Sequence, residues 1–134
     1  MTFRTLLIAK ALVCLLFGLF LLAAPGVLFG LLGGTLSAAG MFAAREYGAA
    51  LIGTLLLTWF AKNVAALDAR RAILIYLLVY DAIGVIITIG AVLSKVLNAL
   101  GWGVVVVYLL FTVWSSIVLL AGGSKGLRQR EREV

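Results

Sequence analysis

Three charged residues, Arg45, Glu46 and Asp81, lie within long apolar stretches of this sequence. An ionised side chain in such surroundings is costly unless it is paired, protonated or reached by water. Two kinds of chemistry therefore fit these residues. Arg45 and Asp81 can form an ion pair that joins two helices, or Asp81 and Glu46 can serve as a proton or cation site.

Three tyrosines accompany these charges. Tyr47 follows Glu46, Tyr80 precedes Asp81, and Tyr108 lies in a later apolar stretch. The rise of an α-helix places all of these groups at a similar depth in a membrane. We therefore predict a ligand-binding cluster with six members: Arg45, Glu46, Tyr47, Tyr80, Asp81 and Tyr108.

Other chemistry has few residues to support it. The sequence contains no histidine and a single cysteine, Cys14, so imidazole catalysis and His- or thiolate-based metal sites have no ligands. A carboxylate cluster without a nucleophile or metal ligands is a thin catalytic set. We expect no catalytic residue, no metal and no cofactor, and we predict a protein that is not an enzyme.

The composition and the apolar runs indicate a membrane protein. Of 134 residues, 65% are hydrophobic, more than the core of a soluble domain of this size can bury. Four apolar runs, at about 6–24, 38–61, 72–93 and 102–121, are long enough to cross a bilayer. The predicted fold is all-α, a four-transmembrane-helix bundle with a short interfacial segment between helices 1 and 2. Residues 1–123 form this domain, and residues 124–134 form a charged cytoplasmic tail.

Local signals give the ends of these spans. Ser37 is a plausible N-cap for the second span. Asp68, Arg70 and Arg71 predict a polar loop before the third span, and Gly122 with Gly123 predicts the end of the fourth. Lys10 lies near the start of the first span, within reach of the headgroups for its long side chain.

The distribution of basic residues predicts the orientation in the membrane. Lysine and arginine occur in the N-terminal flank, the second loop and the tail, whereas the first loop has none and the third has only Lys95. Cytoplasmic loops carry such an excess. We predict a multi-pass protein of the cell inner (plasma) membrane with both termini cytoplasmic. The basic residues behind the net charge of +6 then interact with anionic lipid headgroups, and we expect no nucleic acid partner.

Depth along the spans selects one ion pair. Counted from the ends of spans two and three, Arg45 and Asp81 differ in depth by about 6 Å, which the arginine side chain can cover. The prediction is therefore an Arg45–Asp81 pair, with Glu46 facing another helix or a second subunit.

Four strings in the sequence resemble a known group of proteins. They are AREYGAALIG (44–53), WFAKN (59–63), YDAIG (80–84) and LNALGW (97–102). Together they resemble small, uncharacterised bacterial membrane proteins with four helices, loosely like the DoxX-type bundle. The resemblance implies the fold and no agreed activity. A quinone-linked role of some DoxX-type proteins is not implied, because matching redox residues are missing.

Two functions from different classes remain open. The first is a non-enzymatic accessory subunit or self-associating bundle that the Arg45–Asp81 cluster holds together, as a homo-oligomer or part of a larger membrane complex. The second is a small transporter or ligand-binding membrane protein with Asp81 or Glu46 as a proton or cation site. In both, the bilayer is the surrounding partner.

Overall fold

The described part of the chain forms five helices. The computed structural model describes residues 2–130, with side chains up to residue 122. The helices are α1 (Phe3–Ala23), α2 (Pro25–Leu31), α3 (Ala38–Ala61), α4 (Leu67–Leu93) and α5 (Gly101–Arg130). The predicted all-α class is confirmed.

The closest backbone packing lies within two helix pairs, α1 with α3 and α4 with α5. We call these the first pair and the second pair. In the first pair the helices cross at two glycines. A Cβ atom on Gly48 would lie 3.0 Å from the carbonyl oxygen of Gly18, and one on Gly18 would lie 3.3 Å from that of Gly48. Small residues at both positions therefore let the two backbones touch.

The second pair also depends on glycines. A Cβ atom on Gly84 would lie 2.6 Å from the ring of Tyr108, and one on Gly101 would lie 2.6 Å from Val92. Both distances are shorter than side chains tolerate. Gly84 thus provides the space in which the Tyr108 ring lies against α4.

Side chains close the bundle at both ends. At one end, Phe3, Leu6, Leu7, Leu74, Leu77 and Phe111 form a buried core that joins the two pairs. At the other end, Asn98 links the α4–α5 loop to the segment after α2. Its backbone N–H donates to Leu32 O (2.7 Å) and its amide Nδ2 donates to Leu31 O (2.9 Å).

Most of the predicted boundaries hold, and the two that fail are the start of α4 and the end of α5. The predicted span 38–61 matches α3, and Ser37 caps it by accepting a hydrogen bond from Gly40 N at 3.1 Å. The predicted loop with Asp68, Arg70 and Arg71 is wrong, because α4 begins at Leu67. Asp68 lies in its first turn, where a carboxylate suits the positive end of the helix dipole.

The predicted stop at Gly122 and Gly123 is also wrong, since α5 continues to Arg130. The charged tail predicted at 124–134 lies outside the residues whose side chains are described, and it stays a prediction. The short interfacial segment predicted near 27–34 corresponds to α2. Its seven residues are too few to cross a bilayer.

Three helices are long and apolar enough to cross a membrane: α1, α4 and the part of α5 from Gly101 to Gly122. With 24 residues α3 is longer than α1, but it carries Arg45 and Glu46, which lower its mean hydropathy. The fold therefore contains three helices of membrane-spanning character and a fourth long helix, α3, packed along α1.

Candidate functional site

A buried ion pair joins the two helix pairs. The ammonium of Lys10 on α1 donates to Oδ1 of Asp81 on α4, and the two residues are 3% and 0% exposed. The predicted Arg45–Asp81 pair is therefore wrong, since Lys10 is the partner of Asp81. The prediction that Lys10 reaches for the headgroups is wrong for the same reason.

Helix register explains why Arg45 does not reach Asp81. The contact between Gly18 and Gly48 places Arg45 level with the last turn of α1, within about 5 Å of its end. Lys10 lies deeper, about 20 Å from that end. The first turns of α3 extend past α1 beside α2, so counting depth from residue 38 put Arg45 too deep. Arg45 and Glu46 are both exposed.

Aromatic rings surround the ammonium group of Lys10. Its Nζ lies 4.7 Å from the ring centre of Phe111, 5.0 Å from that of Tyr80 and 5.9 Å from that of Tyr108. The negative faces of aromatic rings attract a cation at such distances. The rings therefore supplement Asp81 in stabilising a charge that has lost its water.

The three predicted tyrosines meet at their hydroxyl groups. Tyr47 Oη lies 2.5 Å from Tyr80 Oη and 2.6 Å from Tyr108 Oη, so hydrogen bonds connect α3 with α4 and α5. We call these residues the tyrosine trio. A further bond of 3.0 Å joins Thr54 on α3 to Tyr76 on α4. Polar side chains thus bridge the two pairs, whereas most of the close backbone packing lies within each pair.

A cavity of about 490 Å³ lies between the pairs. This volume is within the usual range of small-molecule sites. The wall contains Lys10, the tyrosine trio, Cys14 and Thr88 as polar side chains. The rest is mainly apolar, with residues of all five helices, among them Val13, Phe17, Leu28, Leu51, Ile87 and Val104.

The cavity has a polar region and an apolar region. Lys10 and the tyrosine trio lie towards the buried core at one end, and α2 and the Asn98 loop lie towards the other. Two wall residues on α4, Ile83 and Ile87, are 50% and 65% exposed. The wall is therefore continuous with the outer apolar surface of the bundle at these residues.

Of the six predicted site residues, the structure brings together Tyr47, Tyr80, Tyr108 and Asp81. It leaves Arg45 and Glu46 outside. The sequence reasoning missed Lys10. A signal for it exists: the buried face of α1 includes Leu6, Leu7, Lys10, Ala11 and Cys14, so helical spacing puts this lysine on the inward stripe.

The two acidic residues predicted as cation ligands, Asp81 and Glu46, lie in different surroundings. Within residues 2–130, no group of three or more His, Cys, Asp or Glu side chains is placed to hold a metal ion. Asp81 is already bonded to an ammonium group, and Glu46 is exposed. The arrangement is suited to enclosing an apolar molecule beside a compact polar group.

Comparisons with protein-family models, with curated proteins and with solved structures found no match to this chain.

Proposed function

We propose that this chain is a non-enzymatic integral membrane protein that binds a small apolar molecule between its two helix pairs. The observation that carries the proposal is the cavity of about 490 Å³, apolar over most of its wall, with Lys10 and the tyrosine trio grouped together. Sites for small molecules commonly combine these two features. Of the two functions considered from the sequence, we keep ligand binding, with an apolar molecule as the ligand in place of a proton or cation.

The membrane setting follows from the helices. Three are long and apolar enough to cross a bilayer. The packing of α3 along α1 at the Gly18–Gly48 crossing supports the proposal that α3 is the fourth span. The basic residues Arg4, Lys62, Arg70 and Arg71 then flank one membrane surface. By the positive-inside rule this surface is the cytoplasmic side of the plasma membrane, and both termini belong there. A loosely DoxX-like four-helix architecture is part of this proposal.

The buried ion pair has a structural role in this proposal. Lys10 and Asp81 hold the first pair to the second beside the cavity, while the apolar wall provides the binding surface. A proton or cation site at Asp81 stays the alternative, because Oδ1 accepts from Lys10 while Oδ2 is buried without a hydrogen-bond partner among the described residues.

Photolabelling tests the cavity directly. We expect a diazirine analogue of dodecanol, irradiated with the protein in lipid nanodiscs, to label cavity residues such as Cys14 and Phe17. An excess of unmodified dodecanol should suppress this labelling. Mass spectrometry of the peptides gives the labelled positions. Ile86 is an internal control, because it is 71% exposed and lies outside the cavity wall.

Labelling of Ile86 should persist in the presence of excess dodecanol, since the lipid-facing surface does not saturate. Ala91 lines the cavity, so Ala91→Phe should reduce cavity labelling by filling the space. Ala50→Phe, on an exposed position of α3, should not. Labelling that is equal at cavity and surface, or that dodecanol does not suppress, would disprove the ligand site.

Self-association is the second candidate function, and Arg45 with Glu46 favours it. These neighbouring side chains have opposite charge, are exposed on α3 and have no ion-pair partner among the described residues. In a two-fold dimer each Arg45 can pair with Glu46 of the other copy, as isologous interfaces require.

A charge exchange tests this interface. We expect Arg45→Glu and Glu46→Arg, each alone, to shift the protein towards monomer because like charges then face each other. The double variant Arg45→Glu/Glu46→Arg should restore the dimer. Crosslinking and light scattering in nanodiscs or detergent measure the oligomeric state. If all three variants match the wild type, this surface is not a dimer interface.

A further inference from the structure

We propose that the cavity selects an uncharged lipophile that carries one hydroxyl or carbonyl group, and that the tyrosine trio binds this oxygen. This inference rests on the proposed function and names the class of ligand. It follows from the charge balance of the cavity, the chemistry of the trio and the length of the apolar wall.

The charge balance excludes ionic ligands. Lys10 carries the positive charge at the cavity wall, and Asp81 neutralises it behind the wall. No other Arg, Lys, Asp or Glu is part of the wall among the described residues. A carboxylate ligand would therefore place a second negative charge beside Asp81, and an ammonium ligand a second positive charge beside Lys10. Either excess charge in surroundings of low polarity is costly.

The tyrosine trio supplies hydrogen bonds without charge. A phenolic hydroxyl has one donor and can also accept, so it suits either a hydroxyl or a carbonyl oxygen. The three hydroxyls meet around Tyr47 Oη, and all three residues line the cavity. A ligand oxygen at this point joins an existing hydrogen-bonded group, and its polarity is satisfied away from water.

The apolar wall sets the shape of the remaining part of the ligand. Along α4 the cavity runs from Tyr80 to Ala91, which is about 16 Å at the helical rise. Leu28 of α2 and Val96 of the α4–α5 loop contribute to the wall beyond the trio. This geometry suits an extended alkyl chain or a flat ring system with its oxygen at the Tyr47 end.

Competition between three compounds of equal chain length tests the inference. In this experiment, unlabelled dodecanol, dodecane or dodecanoate competes with the photoreactive dodecanol analogue for the cavity, in nanodiscs at neutral pH. We expect dodecanol to compete best, dodecane to require a concentration roughly three to ten times higher, and dodecanoate to compete least. The factor is that of a typical net hydrogen bond.

A variant without the phenolic hydroxyls tests whether the tyrosine trio causes the advantage of dodecanol over dodecane. Tyr47→Phe/Tyr80→Phe/Tyr108→Phe keeps the three rings and removes their oxygens. The advantage of dodecanol over dodecane should then disappear, while competition by dodecane remains and shows that the cavity is intact. Thr54→Val is a matched control, because Thr54 bonds to Tyr76 and does not line the cavity.

The outcomes separate this inference from the proposed function. Three outcomes overturn the ligand class but leave the cavity as a ligand site. They are equal competition by dodecanol and dodecane, stronger competition by dodecanoate, and an unchanged advantage of dodecanol in the triple variant. Failure of all three compounds to compete overturns the proposed function itself. The comparison of the three compounds on the wild-type protein tests the ligand class even if the triple variant does not fold.

Discussion

Lys10→Met and Asp81→Leu should each destabilise the protein by about 3–5 kcal/mol, and the double variant Lys10→Met/Asp81→Leu should recover most of this loss. Each single change leaves one charge buried without its partner, and such uncompensated charges cost this much in proteins. Lys10 and Asp81 are 3% and 0% exposed, so water cannot replace the missing partner. In the double variant both charges are gone and the apolar side chains can pack.

Unfolding by sodium dodecyl sulfate in mixed micelles, followed by circular dichroism, measures these free energies. Arg45→Met is the matched control for Lys10→Met, because Arg45 is exposed and Asp81 already has another partner. Its stability should stay close to that of the wild type. Additive losses in the double variant, or a larger loss for Arg45→Met than for Lys10→Met, would contradict the assignment of this ion pair.

Gly48→Ala should destabilise the first helix pair by about 1–3 kcal/mol, the usual cost of adding a methyl group to a filled space. The new Cβ atom would lie 3.0 Å from the carbonyl oxygen of Gly18 and 3.0 Å from Cβ of Leu21. Because the carbonyl oxygen of Gly18 belongs to the backbone, the clash can be relieved only if α1 and α3 move apart.

Gly53→Ala on the same helix is the control for this substitution. Nothing lies within 4 Å of a Cβ atom at that position. The control should match the wild type or exceed its stability, since alanine has the higher helix propensity. The same mixed-micelle titration compares the two variants. Equal stability of both would show that α1 and α3 are not in contact at this crossing.

The sequence predicts the first half of the fold well because its signals are local. Ser37 caps α3 through its own hydroxyl group, so this boundary does not depend on distant contacts. The start of α4 and the end of α5 are less predictable. Charges at 68–71 and glycines at 122–123 are compatible with a helix that continues beyond the apolar region, and hydropathy alone does not distinguish such a helix from a loop.

The candidate site is predictable in part for a similar reason. Depth predicts Tyr80 and Tyr108 at a similar level, and the long side chain of Tyr47 lets its hydroxyl group reach both. The partner of Asp81 depends on more than depth. It requires the rotation of α1, which turns Lys10 inward, and the register of α3, which lifts Arg45 towards the end of α1. Both are set by packing at Gly18 and Gly48.

The separation of Lys10 and Asp81 along the chain has a consequence for synthesis. The two residues are 71 positions apart, and each belongs to a different helix pair. The ribosome adds about 5–20 residues per second, so Lys10 is synthesised about 4–14 s before its partner. Until Asp81 follows, the ammonium group of Lys10 has no carboxylate partner, and its burial among apolar helices is costly. The arrival of α4 supplies Asp81 and completes the ion pair. A nascent chain that stops before α4 contains Lys10 without its carboxylate partner.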